Sequence, residues 1–158
     1  MGKFKLSIKL KNRLIELDKI KKAVLKVSSS VDCTNRKFKE VNLILEELFT
    51  NVVNHGFNDN DEHEIDLFLS CDDKDLVIRM EDDGKPFDLT SASKPDTKCA
   101  LEKRFIGGLG IHFIKYFADE CKYQHKKGKN IIELKKNINE SGQTEKSNCN
   151  TKSNKECQ

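Results

Sequence analysis

Three groups of residues in this chain have the types and spacing to do chemistry. Glu47, Asn51 and His55 recur at every fourth position and are followed by Gly56; Asp82-Asp83-Gly84-Lys85-Pro86-Phe87-Asp88 is an acidic turn around a glycine; Gly107-Gly108-Leu109-Gly110 is a glycine cluster. On a helix the first series climbs one face. Asn51 then offers Mg²⁺ a neutral oxygen, while Glu47 can hold a metal-bound water or accept a proton from an attacking hydroxyl. A carboxylate at Asp82 accepts from an exocyclic amine and so reads adenine against guanine, which presents an oxygen at the corresponding position. Gly84 removes the Cβ that would block a flat ligand. Bare amides at 107–110, just before a helix, can cradle phosphates, with Lys98, Lys103 and Arg104 adding charge. Each motif alone is commonplace, as an amphipathic helix, a solvated turn or a loop before a helix. Their order and spacing together describe a nucleotide site. The neighbouring Glu46 points about 100° away round the helix, so a structural or solvent-facing role is expected there.

These residues need elements to position them. Phe4, Leu6, Ile8 and Leu10 alternate with Lys3, Lys5, Ser7, Lys9 and Lys11, the period of a strand with one wet face, placed at a sheet edge. Leu14, Leu17, Ile20, Val24 and Val27 recur at helical spacing until Ser28-Ser29-Ser30 breaks it. A second, longer helix follows from the stripe Phe38, Val41, Leu45, Leu48 and Val52, capped by Thr34 or Asn35 and ending near His55-Gly56, where Gly suits a left-handed C-cap. Ile65, Leu67 and Leu69, then Leu76 to Met80 after the turn at 72–75, read as two antiparallel strands. Residues 88–106 show neither period and read as a long mobile loop. A short helix (Ile111, Phe113, Ile114, Phe117) and strands over Glu120 to His125 and Asn130 to Ile138 follow, joined by Lys126-Lys127-Gly128-Lys129. The expected fold is α+β, a two-layer sandwich of one mostly antiparallel sheet with helices on one face. The expected domain is 1–138, followed by a polar, disordered tail at 139–158 whose residues cannot repay ordering entropy.

The totals narrow the class. The chain has 158 residues, 29 Lys and Arg against 26 Asp and Glu, and a net charge of +3 without a basic stripe, so no direct nucleic acid contact is expected. No apolar run approaches the roughly 18 to 20 residues of a membrane helix, and no export signal opens the sequence. A cytoplasmic protein with no membrane partner is expected. Its six cysteines lack zinc spacing and read as reduced thiols.

The set Glu47/Asn51, Asp82-x-Gly84-x-Pro86-Phe87-Asp88 and Gly107-Gly108-Leu109-Gly110-Ile111 resembles the N, G1 and G2 boxes of the GHKL ATPases over residues 4 to 137. Within that superfamily it is most similar to the small bacterial anti-sigma-factor serine kinases. The resemblance implies a Bergerat fold, ATP and Mg²⁺ as cofactors, and phosphorylation of a serine or threonine on a STAS-domain anti-anti-sigma protein. It further implies a homodimer that holds a sigma factor until the antagonist releases it. Carried onto these positions, Glu47 is the general base, Asn51 the Mg²⁺ ligand and Asp82 the adenine reader, with Gly84, Gly108 and Gly110 as close-contact glycines. Phe87, Arg104, Gly107, Leu109 and Asn130 complete the candidate nucleotide-binding set. Relatives often place Thr after the glycine of the last hairpin; Gly128-Lys129-Asn130 departs from this, with Asn130 as the substitute. A histidine kinase would need a histidine-bearing helix first, and the 46 residues before Glu47 contain no histidine. Topoisomerase- and chaperone-type relatives would need transducer domains. The competing expectation is a non-catalytic module of the same fold that binds nucleotide or sequesters a partner.

Overall fold

A computed structural model describes residues 4–91 and 108–139. Five strands, β1 (Phe4–Lys11), β2 (Glu64–Cys71), β3 (Asp75–Asp82), β4 (Glu120–Lys126) and β5 (Lys129–Asn137), form one sheet in the order β1-β2-β3-β5-β4. Every neighbouring pair is antiparallel. Three helices, α1 (Leu17–Ser28), α2 (Asn35–His55) and α3 (Gly108–Phe117), supply the second layer. This is the α+β sandwich read from the sequence, with β1 at an edge.

Alternation places the core. In β3 every second residue is buried, so Leu76, Ile78 and Met80 face the helices while Val77, Arg79 and Glu81 face outward. They meet Ile44, Leu45, Leu48 and Phe49 of α2, all essentially inaccessible. Burying each such side chain contributes about 1.5–3 kcal/mol, which offsets the cost of ordering the chain. The inward pattern admits polar residues at three strand positions: Asp82 at the end of β3, and Asn130 and Lys136 on β5. Lys136 is satisfied by an ion pair with Glu40 of α2 and by donating to the Phe117 carbonyl at 2.9 Å, so it ties β5 to both helices.

Local chemistry sets the boundaries. Thr34 is the N-cap of α2, its hydroxyl accepting from the Lys37 amide at 3.4 Å. The first helix begins as a 3₁₀ turn at Leu14–Glu16 before becoming α-helical. Lys127 (φ 52°) and Gly128 (φ 73°) make the paired left-handed turn that matches the twist of a two-residue hairpin. Gly56 corrects an expectation: it caps α2 with φ −76°, in the right-handed region. Its lack of a side chain serves close packing instead, since a Cβ there would lie 2.5 Å from the Val52 carbonyl oxygen.

Among the described residues Cys71 and Cys121 are in no disulfide, and burial pushes the Cys121 thiol up to about 11. No helix among the described residues is long and apolar enough to cross a membrane. The expected loop lies largely, and the expected tail almost wholly, outside the described residues.

Candidate functional site

The acid end of the site is built on α2. Of that helix's three acids, Glu40 pairs with Lys136 and Arg36, and Glu46 lies 3.8 Å from Lys21 of α1, the structural role expected for it. Glu47 makes no hydrogen bond or ion pair to any described residue. It lies beneath the first turn of α3, where a methyl group built on Gly110 would overlap its Oε2 and come within 3.4 Å of Asn51 Nδ2. A glycine lets α3 start this close to α2 without displacing the Glu47 carboxylate, so the two motifs meet there.

Asn51 and His55 continue along the same face into a cavity of about 330 Å³, the lower end of the usual ligand range. Its walls are apolar, with Leu48 and Val52 from α2, Ile111 from α3, Ile132 from β5, and Leu89 and the exposed Phe87 from the loop after β3. Its polar end is Asp82, which is 4% exposed. A mostly apolar slot with one buried carboxylate in its wall suits a heteroaromatic base with a donor on its edge.

Asp82 and Asn130 are register partners across β3 and β5, and both point inward. Asp82 Oδ1 accepts from the Gly84 amide at 2.8 Å and from Asn130 Nδ2 at 3.0 Å. Its Oδ2 has no hydrogen-bond partner among the described residues. Burial pushes the carboxyl above the ordinary carboxylate range, and the Asn130 and Gly84 donors pull it back. Asn130 Nδ2 also donates to the carbonyls of Gly84 (3.2 Å) and Lys85 (2.9 Å), while its Oδ1 accepts from the Tyr123 hydroxyl at 2.6 Å and the Phe87 amide at 3.4 Å. Asn130 is therefore fully committed inside the protein. Gly84 packs against the end of α2, where a Cβ would lie 2.5 Å from the Gly56 carbonyl oxygen, and that same oxygen accepts from the Lys85 amide at 2.7 Å.

The structure thus brings together Glu47, Asn51, Asp82, Gly84, Phe87, Gly110 and Asn130. Gly108 and Leu109 open α3; Gly107 and Arg104 lie outside the described residues. Tyr123 and the apolar walls other than Phe87 went unread in the sequence. Tyr123 sits in the ordinary alternation of β4 and carries no local signal.

A second cluster braces the turn after Asp82. His63 Nε2 lies 2.8 Å from Asp59 Oδ1 and Nδ1 lies 3.0 Å from Asp83 Oδ1, and the ring stacks on Phe57 with centroids 4.2 Å apart. Its backbone amide donates to Asn12 Oδ1 at 2.9 Å. The hydrogen bond to Asp59 foremost, then that to Asp83, holds the imidazole above its ordinary value of 6.5. Because the folded value is raised, the imidazolium's contribution to stability is complete below about pH 6.5 and is lost as pH rises through the raised value. The thermal stability advantage of the wild type over His63→Gln is therefore expected to be greatest near pH 6 and to shrink by about pH 9. A pH-independent difference would refute the ion-pair reading of this cluster.

With sheet, helices and cleft in view, the molecule is a two-layer α+β domain built around a nucleotide-sized slot. The chain belongs to the histidine kinase-like ATPase domain family, whose model matches residues 10–136. It is 29% identical over 119 residues to the serine-protein kinase RsbW of Listeria monocytogenes serotype 4a, covering 72% of this chain and 74% of that protein. It is equally 29% identical over 119 residues to an anti-sigma F factor of Clostridium novyi, covering 72% and 81%. The serine/threonine-protein kinase BtrW of Bordetella bronchiseptica is 27% identical over 92 residues. Among solved structures, the RsbU and RsbW domains of a Mycobacterium tuberculosis protein share the fold, with a TM-score of 0.56 and 13% identity. That match covers 84% of this chain and 32% of the other, about a third of its length. The resemblance read from the three motifs, to the anti-sigma kinase branch of the GHKL ATPases, is borne out.

Proposed function

We propose that this chain is an ATP-dependent serine/threonine protein kinase acting as an anti-sigma factor, which phosphorylates a STAS-domain anti-anti-sigma protein and sequesters a sigma factor. The observation that carries this reading is Glu47, the one acid of α2 left without a partner among the described residues, set beside Asn51 at the glycine-rich start of α3. A pure binding scaffold has no chemical need for that pair. The names of the relatives support the same activity. The homodimer belongs to the same proposal, resting on the resemblance alone.

The residues present fit a magnesium nucleotide. The slot would take a base, Asp82 Oδ2 its amine, and the amides opening α3 its phosphates. Among the described residues no three His, Cys, Asp or Glu side chains converge on a metal, so Mg²⁺ would be held by Asn51 together with phosphate oxygens and waters. When bound, Mg-ATP supplies the phosphoryl group and the charge neutralisation for its transfer. Glu47 accepts the proton of the attacking serine or threonine hydroxyl, and Asn51 orients the metal's side of the site. The apolar walls exclude water from the base.

Thermal unfolding with Mg-ATP, Mg-ADP or EDTA, for the wild type and Asn51→Ala, tests the site. A ligand at 100 times its Kd adds about 2.7 kcal/mol of stability, so a clear Mg-dependent rise in Tm is expected in the wild type and not in the variant. Labelled phosphate should then pass from γ-labelled ATP to a STAS-domain protein. No Tm shift with any nucleotide would leave the partner-sequestering module as the better reading.

A further inference from the structure

We propose that Tyr123 and Asn130 form an orientation lock on Asp82 that sets this site's preference for a base bearing an exocyclic amine; the inference rests on Asp82 reading the base. Four groups fix which way the Asn130 amide points. The carbonyls of Gly84 and Lys85 only accept, so Nδ2 must face them, and the Phe87 N–H only donates, so Oδ1 must face it. The shortest of the bonds is the Tyr123 hydroxyl on Oδ1 at 2.6 Å, against 3.4 Å for the Phe87 amide. Tyr123 is therefore the strongest clamp on the oxygen end. With the amide so turned, Nδ2 and the Gly84 N–H both donate to Asp82 Oδ1. Two donors on one oxygen hold the carboxyl in one rotamer and oppose the proton that burial favours, and the ionised group presents Oδ2 as a pure acceptor. A pure acceptor welcomes an amine and opposes a carbonyl, lone pair against lone pair.

Removing the hydroxyl leaves Asn130 Oδ1 with only the long Phe87 contact. The amide is then held chiefly at its Nδ2 end, by the Gly84 and Lys85 carbonyls, and can tilt toward them and away from Asp82 Oδ1, while burial already favours a proton on that carboxyl. A protonated Asp82 becomes a donor and accommodates the carbonyl of a guanine-type base. Tyr123 is thus a positioning residue: it acts on the base through two intervening side chains and has no need to touch it. The groups whose charge bears on Asp82 here are Asp83, in the same turn, and His125, at the register position opposite Asn130.

Equilibrium titration of the whole chain with ADP and GDP in the presence of Mg²⁺, for wild type, Tyr123→Phe and Asp82→Asn, tests the lock. The wild type is expected to prefer ADP, and Tyr123→Phe to narrow the ADP-to-GDP affinity ratio by about five- to tenfold, the worth of one hydrogen bond. Asp82→Asn is expected to abolish the preference. A merely structural role for Tyr123 would weaken both nucleotides in parallel and leave the ratio unchanged, which overturns the lock even where Asp82→Asn behaves as expected. No ADP binding by the wild type, or a ratio unmoved by Asp82→Asn, overturns both the lock and the reading of Asp82 beneath it. Asn130→Asp gives an independent check, since a second carboxylate against Asp82 forces a shared proton and should narrow the ratio as well.

Discussion

Replacing Glu47 by Gln is expected to lower phosphotransfer by about 10²- to 10⁴-fold while leaving Mg-ATP binding in place. Gln keeps the length and shape of the side chain and loses only its ability to accept a proton. Glu47 has no ion pair among the described residues whose loss would confuse the result. Asn51→Ala should behave in the opposite way, weakening metal-dependent nucleotide binding by about tenfold or more before any chemistry is reached. Calorimetric titration with Mg-ATP, beside single-turnover transfer of labelled phosphate to a STAS-domain protein, separates the two. Equal losses of binding in both variants would refute the division of labour between acid and amide.

Gly110→Ala is the second substitution with a large expected effect, and it should act on rate with little effect on stability. Alanine favours a helix over glycine by about 0.5–1 kcal/mol. The new methyl overlaps the end of the Glu47 side chain, which can swing aside for about 0.5–1.5 kcal/mol. These nearly cancel, so Tm should hardly move. The displaced carboxylate, however, is the proposed base, and a misplacement of about 1 Å costs about 10²-fold in rate. Gly84→Ala provides the contrast: its methyl meets the Gly56 carbonyl at 2.5 Å, an atom that cannot swing away, so a stability loss of about 1–3 kcal/mol is expected. Urea unfolding and phosphotransfer assays on both variants check this. Full activity in Gly110→Ala would rule out a base at Glu47.

Period and spacing carried the strands, the helices and the three motifs, because each of these is written within about twenty consecutive residues. Asp82 shows where local reading stops. An Asp-Asp-Gly turn reads equally well as solvated, and its burial depends on Asn130, 48 residues further on. Nothing near Tyr123 announces its bond to that asparagine, because it is the register of β4 on β5 that places it there. His63 is similar: Asp59 is a near neighbour in sequence, but Asp83 reaches it from the other side of a hairpin. Gly56 was legible as a helix end and illegible in its reason, since backbone crowding by Val52 and Gly84 belongs to the assembled fold. Lys136 breaks an otherwise apolar inward row, and its partners on α2 and α3 lie far away in sequence.

The bond between the Lys85 amide and the Gly56 carbonyl joins the end of α2 to the turn after β3 directly through the backbone. It fastens the cap residue just past a 21-residue rod, about 31 Å long, to the hairpin corner beside Asp82. The distance between Asp82, the proposed base reader, and Glu47, the proposed proton acceptor, is thereby set like the jaw gap of a calliper with a fixed arm. A substrate of different length cannot be accommodated by spreading these two parts; the adjustment has to come from α3, which reaches the rod through side chains and the bare flank of one glycine.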